Sequence, residues 1–348
     1  MNRVHRTSGS THRAARGRTL SAVALVTVAS LGLAACGGSS DSADSGSGAT
    51  KAADGAYPVT IDTAMGKVTI DKRPVRVAAL DTSYVDAAIA LKAEVVAYPA
   101  YRTYGQHGLP DYLGADGKTY SKGAVDTGEL MTPNLGKLAA TKPDLIVSAK
   151  VRHEKYYNQF EKIAPTVFSE TTGPTWKQNL LMLGKVLDKE TLAKERIATY
   201  EKRAKKIGEE IKEKNKGTMP TVSVVRFAGE PTVRLYTEAS FPGQVMDDIG
   251  FERPKGQPTT KDGINVDISQ ERIRSLDADY LFVSTFDDPT GAAQKASKQF
   301  ETNPLWKKLT GKRTSVSDLT WFSSVSVQGA ETMLDDVAKT FGVDPARD

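Results

Sequence analysis

The chain has 348 residues, and its 47 Lys and Arg against 42 Asp and Glu leave a formal charge of +5. Five of those cations, Arg3, Arg6, Arg13, Arg16 and Arg18, sit in an acid-free leader, and the rest of the chain balances at 42 against 42. The excess charge therefore gives no ground for a nucleic-acid partner or a polybasic membrane patch. One cysteine, Cys36, excludes disulfides, thiolate metal sites and cysteine nucleophiles from the remainder of the chain. Beyond the leader only His107 and His153 remain, which makes a histidine-built zinc site hard to assemble.

The basic start is followed by an apolar run, Leu20–Ala35, too short for a stable span, and Leu33-Ala34-Ala35 places small residues before Cys36. Residues 1–35 read as a lipoprotein signal peptide and Cys36 as the lipid attachment point, holding the protein at the extracellular face of the cell membrane. Residues 36–56, rich in Gly, Ser, Ala and Asp, have the composition of a disordered tether.

A folded body begins near residue 57. Val59–Asp62 and Val68–Ile70 alternate around Ala64-Met65-Gly66, as in a short hairpin. Val75–Leu80 reads as a buried strand, Tyr84–Lys92 as a helix and Glu94–Tyr98 as a second strand, which makes a βαβ unit and implies a parallel sheet. Asn134–Thr141 is a helix before a break at Pro143-Asp144, and Leu145–Ser148 and Pro165–Phe168 are further strands. Residues 57–175 thus form an N-terminal α/β lobe.

From 176 to 216 the pattern turns helical. Leu180, Leu183, Val186 and Leu187 mark one helix, Asp188 is placed to cap the next, and Ile197, Tyr200, Ala204, Ile207 and Ile211 recur at spacings of three and four. Glu201–Lys205 and Glu210–Lys214 are expected as i,i+4 pairs on a solvated face. A helix from Lys189 to Asn215 would reach roughly 40 Å, enough to serve as a spine between lobes. α/β signals resume in 217–348: strands at Val222–Phe227, Val233–Tyr236, Tyr280–Thr285 and Thr314–Ser317, and helices at Gly243–Ile249, Ser269–Ser275 and Ala330–Phe341. The fold class is therefore α/β, two Rossmann-like lobes joined by a long helix with a ligand cleft between them.

Five stretches in order carry a resemblance: Pro74–Leu80, Pro133-Asn134-Leu135 through Lys142–Ile146, Ile163–Val167, Ile268-Ser269-Gln270-Glu271 through Ala278–Val283, and Asn303–Trp306. Together they resemble the helix-linked substrate-binding proteins of iron-siderophore, haem and cobalamin ABC importers, over about residues 57 to 341. The resemblance implies a monomeric, non-enzymatic lipoprotein without a cofactor. It would capture a ferric siderophore outside the membrane and deliver it to an ABC permease, with the iron held by the chelator rather than by the protein.

Ligand contacts would then come from the strand-end loops. In the first lobe these hold Tyr101, Arg102, Tyr104 and Arg152, with Trp176 opening the helical stretch. In the second they hold Arg226, Phe227, Phe241, Phe286, Trp321 and Phe322. Rings cover apolar chelator spacers, and Arg donates paired hydrogen bonds to iron-coordinating oxygens. Trp321-Phe322 stands among Asp318, Ser323 and Ser324, a polar loop for a packed core, and Arg226 ends an apolar run where a guanidinium needs either a salt-bridge partner or a ligand. Tyr84, Tyr156, Tyr157, Trp306 and Phe341 read instead as core packing.

Rings outnumber cations in this set, which favours a near-neutral trihydroxamate such as a ferrioxamine over a highly anionic tris-catecholate. Haem, with Tyr101 or Tyr104 as axial ligand, and cobalamin stay open as alternatives. The family's two permease-contacting glutamates map to Glu271 and to Gly136, so the first-lobe contact departs from the pattern, with Glu129 a substitute. The rival class, a surface hydrolase or ferric reductase, lacks a Gly-x-Ser-x-Gly elbow, a phosphate-binding loop or a paired-histidine motif.

Overall fold

The computed structural model describes residues 57–101 and 108–347. The residues expected to form a signal peptide and a tether, with Cys36, and Arg102, Tyr104 and His107 lie outside the described residues.

A two-stranded hairpin, β1 (Val59–Thr63) and β2 (Gly66–Ile70), pairs Val59 with Ile70 and Thr63 with Gly66. Gly66 has φ of 105°, a conformation that costs any residue with a Cβ. The first lobe is built on β3 (Arg76–Ala79), β4 (Glu94–Tyr98), β5 (Val125–Asp126), β6 (Leu145–Ala149) and β7 (Thr166–Ser169), all parallel in the order β5-β4-β3-β6-β7. β6 is buried along its whole length, as expected where both faces of a parallel sheet are covered. The second lobe carries β8 (Val222–Phe227), β9 (Val233–Tyr236), β10 (Asn265–Ile268), β11 (Tyr280–Thr285) and β12 (Lys312–Ser315) in the order β10-β9-β8-β11-β12. Here β8, β11 and β12 are parallel, and β9 runs against both its neighbours.

Both sheets share one topological feature. The chain fills one side of β3 with β4 and β5, then returns to fill the other with β6 and β7; likewise β9 and β10 lie on one side of β8, and β11 and β12 on the other. Each lobe therefore has a switch point, between β3 and β6 and between β8 and β11, where diverging connections leave a crevice at the carboxyl ends of the strands.

Two helices, Trp176–Val186 and Glu190–Lys214, occupy the linker. Asp188 does not cap the second: it sits at φ 56° past the end of the first, and Lys189 flanks the long helix without a side-chain cap. The long helix buries Ala193, Ile197, Tyr200, Ala204, Ile207, Gly208 and Ile211 along one stripe. Its surface pairs differ from those expected. Glu201 takes Lys177 at 2.7 Å, Glu210 accepts from the Asp344 amide, and Lys214 donates to the Gly342 carbonyl, while Glu190–Lys194 and Lys205–Glu209 form i,i+4 contacts. At Gly208 a Cβ would stand 1.8 Å from the Ile249 carbonyl oxygen, so the spine and the helix Phe241–Ile249 cross backbone to backbone. The segment expected as a helix at Ser269–Ser275 is a 3-10 helix, Gln270–Leu276, and the closing helix starts earlier, at Val327, capped by Ser326.

The largest apolar cluster runs through the spine and takes in both lobes, from Tyr84 and Val85 of the helix Thr82–Ala90 to Val245 and Met333. Smaller clusters cover the outer faces of the sheets, around Phe160 and Phe168 in one lobe and Phe227 and Phe300 in the other.

Candidate functional site

Each switch point carries an ion pair with a buried carboxylate. In the first lobe Asp81 follows β3, caps the helix Thr82–Ala90 and accepts from the Ser83 amide and hydroxyl on Oδ1 at 2.9 and 2.5 Å. Its Oδ2 accepts from Arg152 Nε, delivered from just beyond β6, at 2.9 Å. Burial works to raise the Asp81 pKa, but the Arg152 cation and the Ser83 donors outweigh it and hold the carboxyl below its ordinary range.

In the second lobe Arg226, on β8, grips Asp318 in a two-pronged pair, Nε to Oδ1 at 2.6 Å and Nη2 to Oδ2 at 2.8 Å. Ser284 of β11 donates to the same Oδ1 at 3.0 Å. The Arg226 side chain is 14% exposed and that of Asp318 5%. The rings of Phe286 and Phe322 each lie 5.2 Å from the guanidinium carbon, a cation–π arrangement, and Phe322 packs tilted against Tyr236 with ring centroids 4.7 Å apart. Burial opposes the Arg226 charge, and Asp318 more than restores it, so the guanidinium pKa rises above its usual value. Beside it in strand register stands Arg234, paired with Glu230. The two rims touch: Thr82 Oγ1 donates to the Ser323 carbonyl at 2.8 Å, placing Asp81–Arg152 and Asp318–Arg226 on either side of one contact between lobes.

The structure divides the residues expected at the site. Arg226, Phe286 and Phe322 come together on the second-lobe rim, the two rings half-buried, and Arg152 stands on the first-lobe rim beside Asp81. Five others are corrected inward by packing. Trp321 is 0% exposed, lies against Phe282 at 4.8 Å and donates its indole N–H to Asp336 at 2.8 Å. Phe227 is buried against Phe300 and Trp306 on the outer face of the sheet. Trp176 sits edge-on to Tyr200 and Phe241, a ring cluster that joins the two linker helices to the second lobe and buries both Trp176 and Phe241. Tyr101 is 3% exposed, its ring centroid 6.4 Å from that of Tyr98. Tyr84, Tyr157 and Trp306 are buried as read.

Sequence reasoning missed Asp81, Arg234, Tyr236 and Glu230. Asp81 had a signal, since Leu80-Asp81-Thr82-Ser83 joins a strand end to an N-cap. Arg234 is recognisable only once β9 is paired with β8. His153, by contrast, is a structural group: Nε2–H donates to the Leu130 carbonyl at 2.6 Å and Nδ1 accepts from Ser148 at 2.7 Å. Burial holds its pKa below the ordinary imidazole value.

Glu271 is exposed at the start of the 3-10 helix, at the same end of the lobe as the rim because β10 runs in the direction of β8. Its carboxyl is held below its ordinary range by the Ser269 hydroxyl. Gly136 is exposed in the helix Leu135–Ala140, which Asn134 caps. No group of three or more metal-ligating side chains occurs among the described residues.

Residues 77–314 match the family model described as periplasmic binding protein. The chain is 34% identical over 321 residues to the probable siderophore-binding lipoprotein YfiY of Bacillus subtilis, covering 89% of this chain and 94% of that one. It is 28% identical to the Fe(3+)-citrate-binding protein YfmC of the same organism, covering 90% and 96%. Among solved structures, Staphylococcus aureus SirA complexed with staphyloferrin B superposes with a TM-score of 0.74 at 26% identity, over 82% of this chain and 99% of that one. With the family model spanning both switch points, the chain belongs to the periplasmic binding protein family, whose members bind a substrate and are not enzymes.

Proposed function

We propose that this protein captures a ferric siderophore between its switch-point rims and presents it to an ABC permease, tethered through Cys36. In this reading residues 1–35 are the signal peptide, 36–56 the tether, 57–175 and 217–348 the lobes and 176–216 the spine. The observation that carries the reading is a guanidinium at each switch point, Arg152 in one lobe and Arg226 in the other, with Phe286 and Phe322 flanking Arg226. A ferric complex presents oxygens around the metal and carbon along its spacers, and that rim offers donors beside rings. The relatives named for siderophore and Fe(3+)-citrate binding support the class.

Within it we favour a trihydroxamate of ferrioxamine type, because each rim arginine already has an acid beside it: Asp81, Asp318 and Glu230. A ferric carboxylate complex is the second reading, favoured by the two-pronged Arg226–carboxylate geometry and by the relative named for Fe(3+)-citrate. Glu271 is the second-lobe contact for the permease.

The test is tryptophan fluorescence of the chain lacking residues 1–36, titrated with ferrioxamine, ferric citrate, a ferric catecholate and haem, with absorption corrected. Saturable quenching by ferrioxamine, weakened at least tenfold in Arg226→Gln and Phe322→Ala, is expected. Saturation by ferric citrate alone selects the second reading, and no saturation by any complex overturns both. Glu271→Ala should bind as the parent does and transport poorly in cells; normal uptake would remove Glu271 from the permease contact.

A further inference from the structure

Among the described residues, the rim arginines are neutralised one by one. Arg152 meets Asp81, Arg226 meets Asp318 and Arg234 meets Glu230, although nothing in the topology requires an acid at each position. Arg226 and Arg234 are direct partners across β8 and β9, an arrangement of like charges that repels unless each has its own counter-ion. Asp318 is fixed more firmly than a pairing needs, since Ser284 also holds it from β11.

We infer that Asp318 and Glu230 are specificity-determining residues: built-in counter-ions that leave the second-lobe rim near neutrality and so set an upper limit on the negative charge of the ferric complex it accepts. The inference rests on the rim being the ligand site. A tris-catecholate iron(III) complex is a trianion, whereas a trihydroxamate is uncharged. A carboxylate held beside the guanidinium repels the first in proportion to its charge and leaves the second almost unaffected. A binding protein for a trianion would gain by leaving these arginines uncompensated. Asp318 also holds the Arg226 guanidinium in place between its two rings before any ligand arrives.

The experiment compares the parent chain lacking residues 1–36 with Asp318→Asn and Glu230→Gln by fluorescence titration against ferrioxamine E and ferric enterobactin at two salt concentrations. Asp318→Asn keeps the side-chain shape and its hydrogen-bonding oxygen. It should tighten catecholate binding about tenfold relative to ferrioxamine at low salt, and the gain should shrink several-fold at high salt. Glu230, with its side chain 38% exposed, tolerates replacement, so Glu230→Gln keeps the test decisive if Asp318→Asn misfolds, and should shift the same ratio about threefold. An unchanged affinity ratio in a variant that still binds ferrioxamine overturns the inference and leaves the siderophore reading standing. Absence of binding by the parent to any ferric complex overturns the siderophore reading, and the inference with it.

Discussion

Asp81 and Asp86 lie five residues apart at the start of one helix and are equally hidden, 1% and 0% exposed, yet they hold their protons in opposite ways. Asp81 faces a cation, Arg152, and its carboxyl is held below the usual range. Asp86 accepts instead from neutral hydroxyls: Tyr112 and Ser326 donate to its Oδ2 at 2.8 and 2.7 Å, and burial, with the Asp81 charge adding to it, pushes its pKa up to about 8. Burial is common to both, so the guanidinium decides the difference. The placement matters because Ser326 caps the closing helix of the second lobe and Gln328 donates to the Asp86 carbonyl, which makes Asp86 a seam between lobes. One helix therefore presents a carboxylate to the rim and a neutral acid to the seam.

The largest effect that would break this comparison is the pH response of Asp86. A folded pKa above the unfolded one means that the native state keeps a proton the unfolded chain has lost. Stability from this group is therefore complete below about pH 4 and drains away as pH rises toward 8. Asp86→Asn cannot titrate and supplies a donor where Asp86 Oδ1 and Gln328 Oε1 both lack a partner. Denaturant melts should show the variant gaining about 3 kcal/mol on the parent between pH 5 and pH 8. Parallel curves would mean that Asp86 is ionised in the fold.

Next in size, Arg152→Met removes the cation from Asp81 and should cost about 2–3 kcal/mol at pH 7, because a buried carboxylate is left uncompensated. The loss should fade below about pH 4 as Asp81 takes up a proton; a loss independent of pH would point to packing alone. Ser326→Ala takes one hydroxyl from Asp86 and the cap from the closing helix. It should lower stability by about 1–2 kcal/mol, recoverable in part by Thr at the same position. The smallest effect is the mirror image of Asp86. His153 has a lowered folded pKa, so its stabilisation is present above about pH 6.5 and is lost as pH falls below it. Relative to His153→Gln, the parent should lose about 1 kcal/mol between pH 6.5 and pH 5, read from thermal melts in matched buffers.

Much of the scaffold was legible because strand residues announce themselves. Glu94–Tyr98, Val222–Phe227, Val233–Tyr236 and Tyr280–Thr285 have the bounds read from the chain, each an apolar run with clear breakers. β10 was missed because Asn265-Val266-Asp267-Ile268 is a polar edge strand, and its existence depends on β9 beside it. At the site, residue type was legible but direction was not. Trp321 and Phe322 are neighbours in the turn Leu319–Ser323, and one enters the core while the other covers Arg226. Arg226 was legible as needing a partner, but Asp318 lies 92 residues away and only the fold brings it there. The spine shows the same limit: the helical stripe was readable, whereas Glu201 chose Lys177 over Lys205 because the preceding helix folds back beside it.

The backbone crossing at Gly208 bears on how an importer would distinguish a full receptor from an empty one. With the spine fused to the helix Phe241–Ile249 at one end, and to the preceding helix at Gly184, where a Cβ would stand 2.8 Å from that of Ala193, neither end of the strut is free to pivot. Occupancy then has little influence on the outline of the molecule and must be written locally, in the turn Leu319–Ser323 and in the groups Thr82 and Phe322 that a ligand would displace. Such a receptor behaves less like a jaw than like a tray, and its partner reads the cargo from the rim.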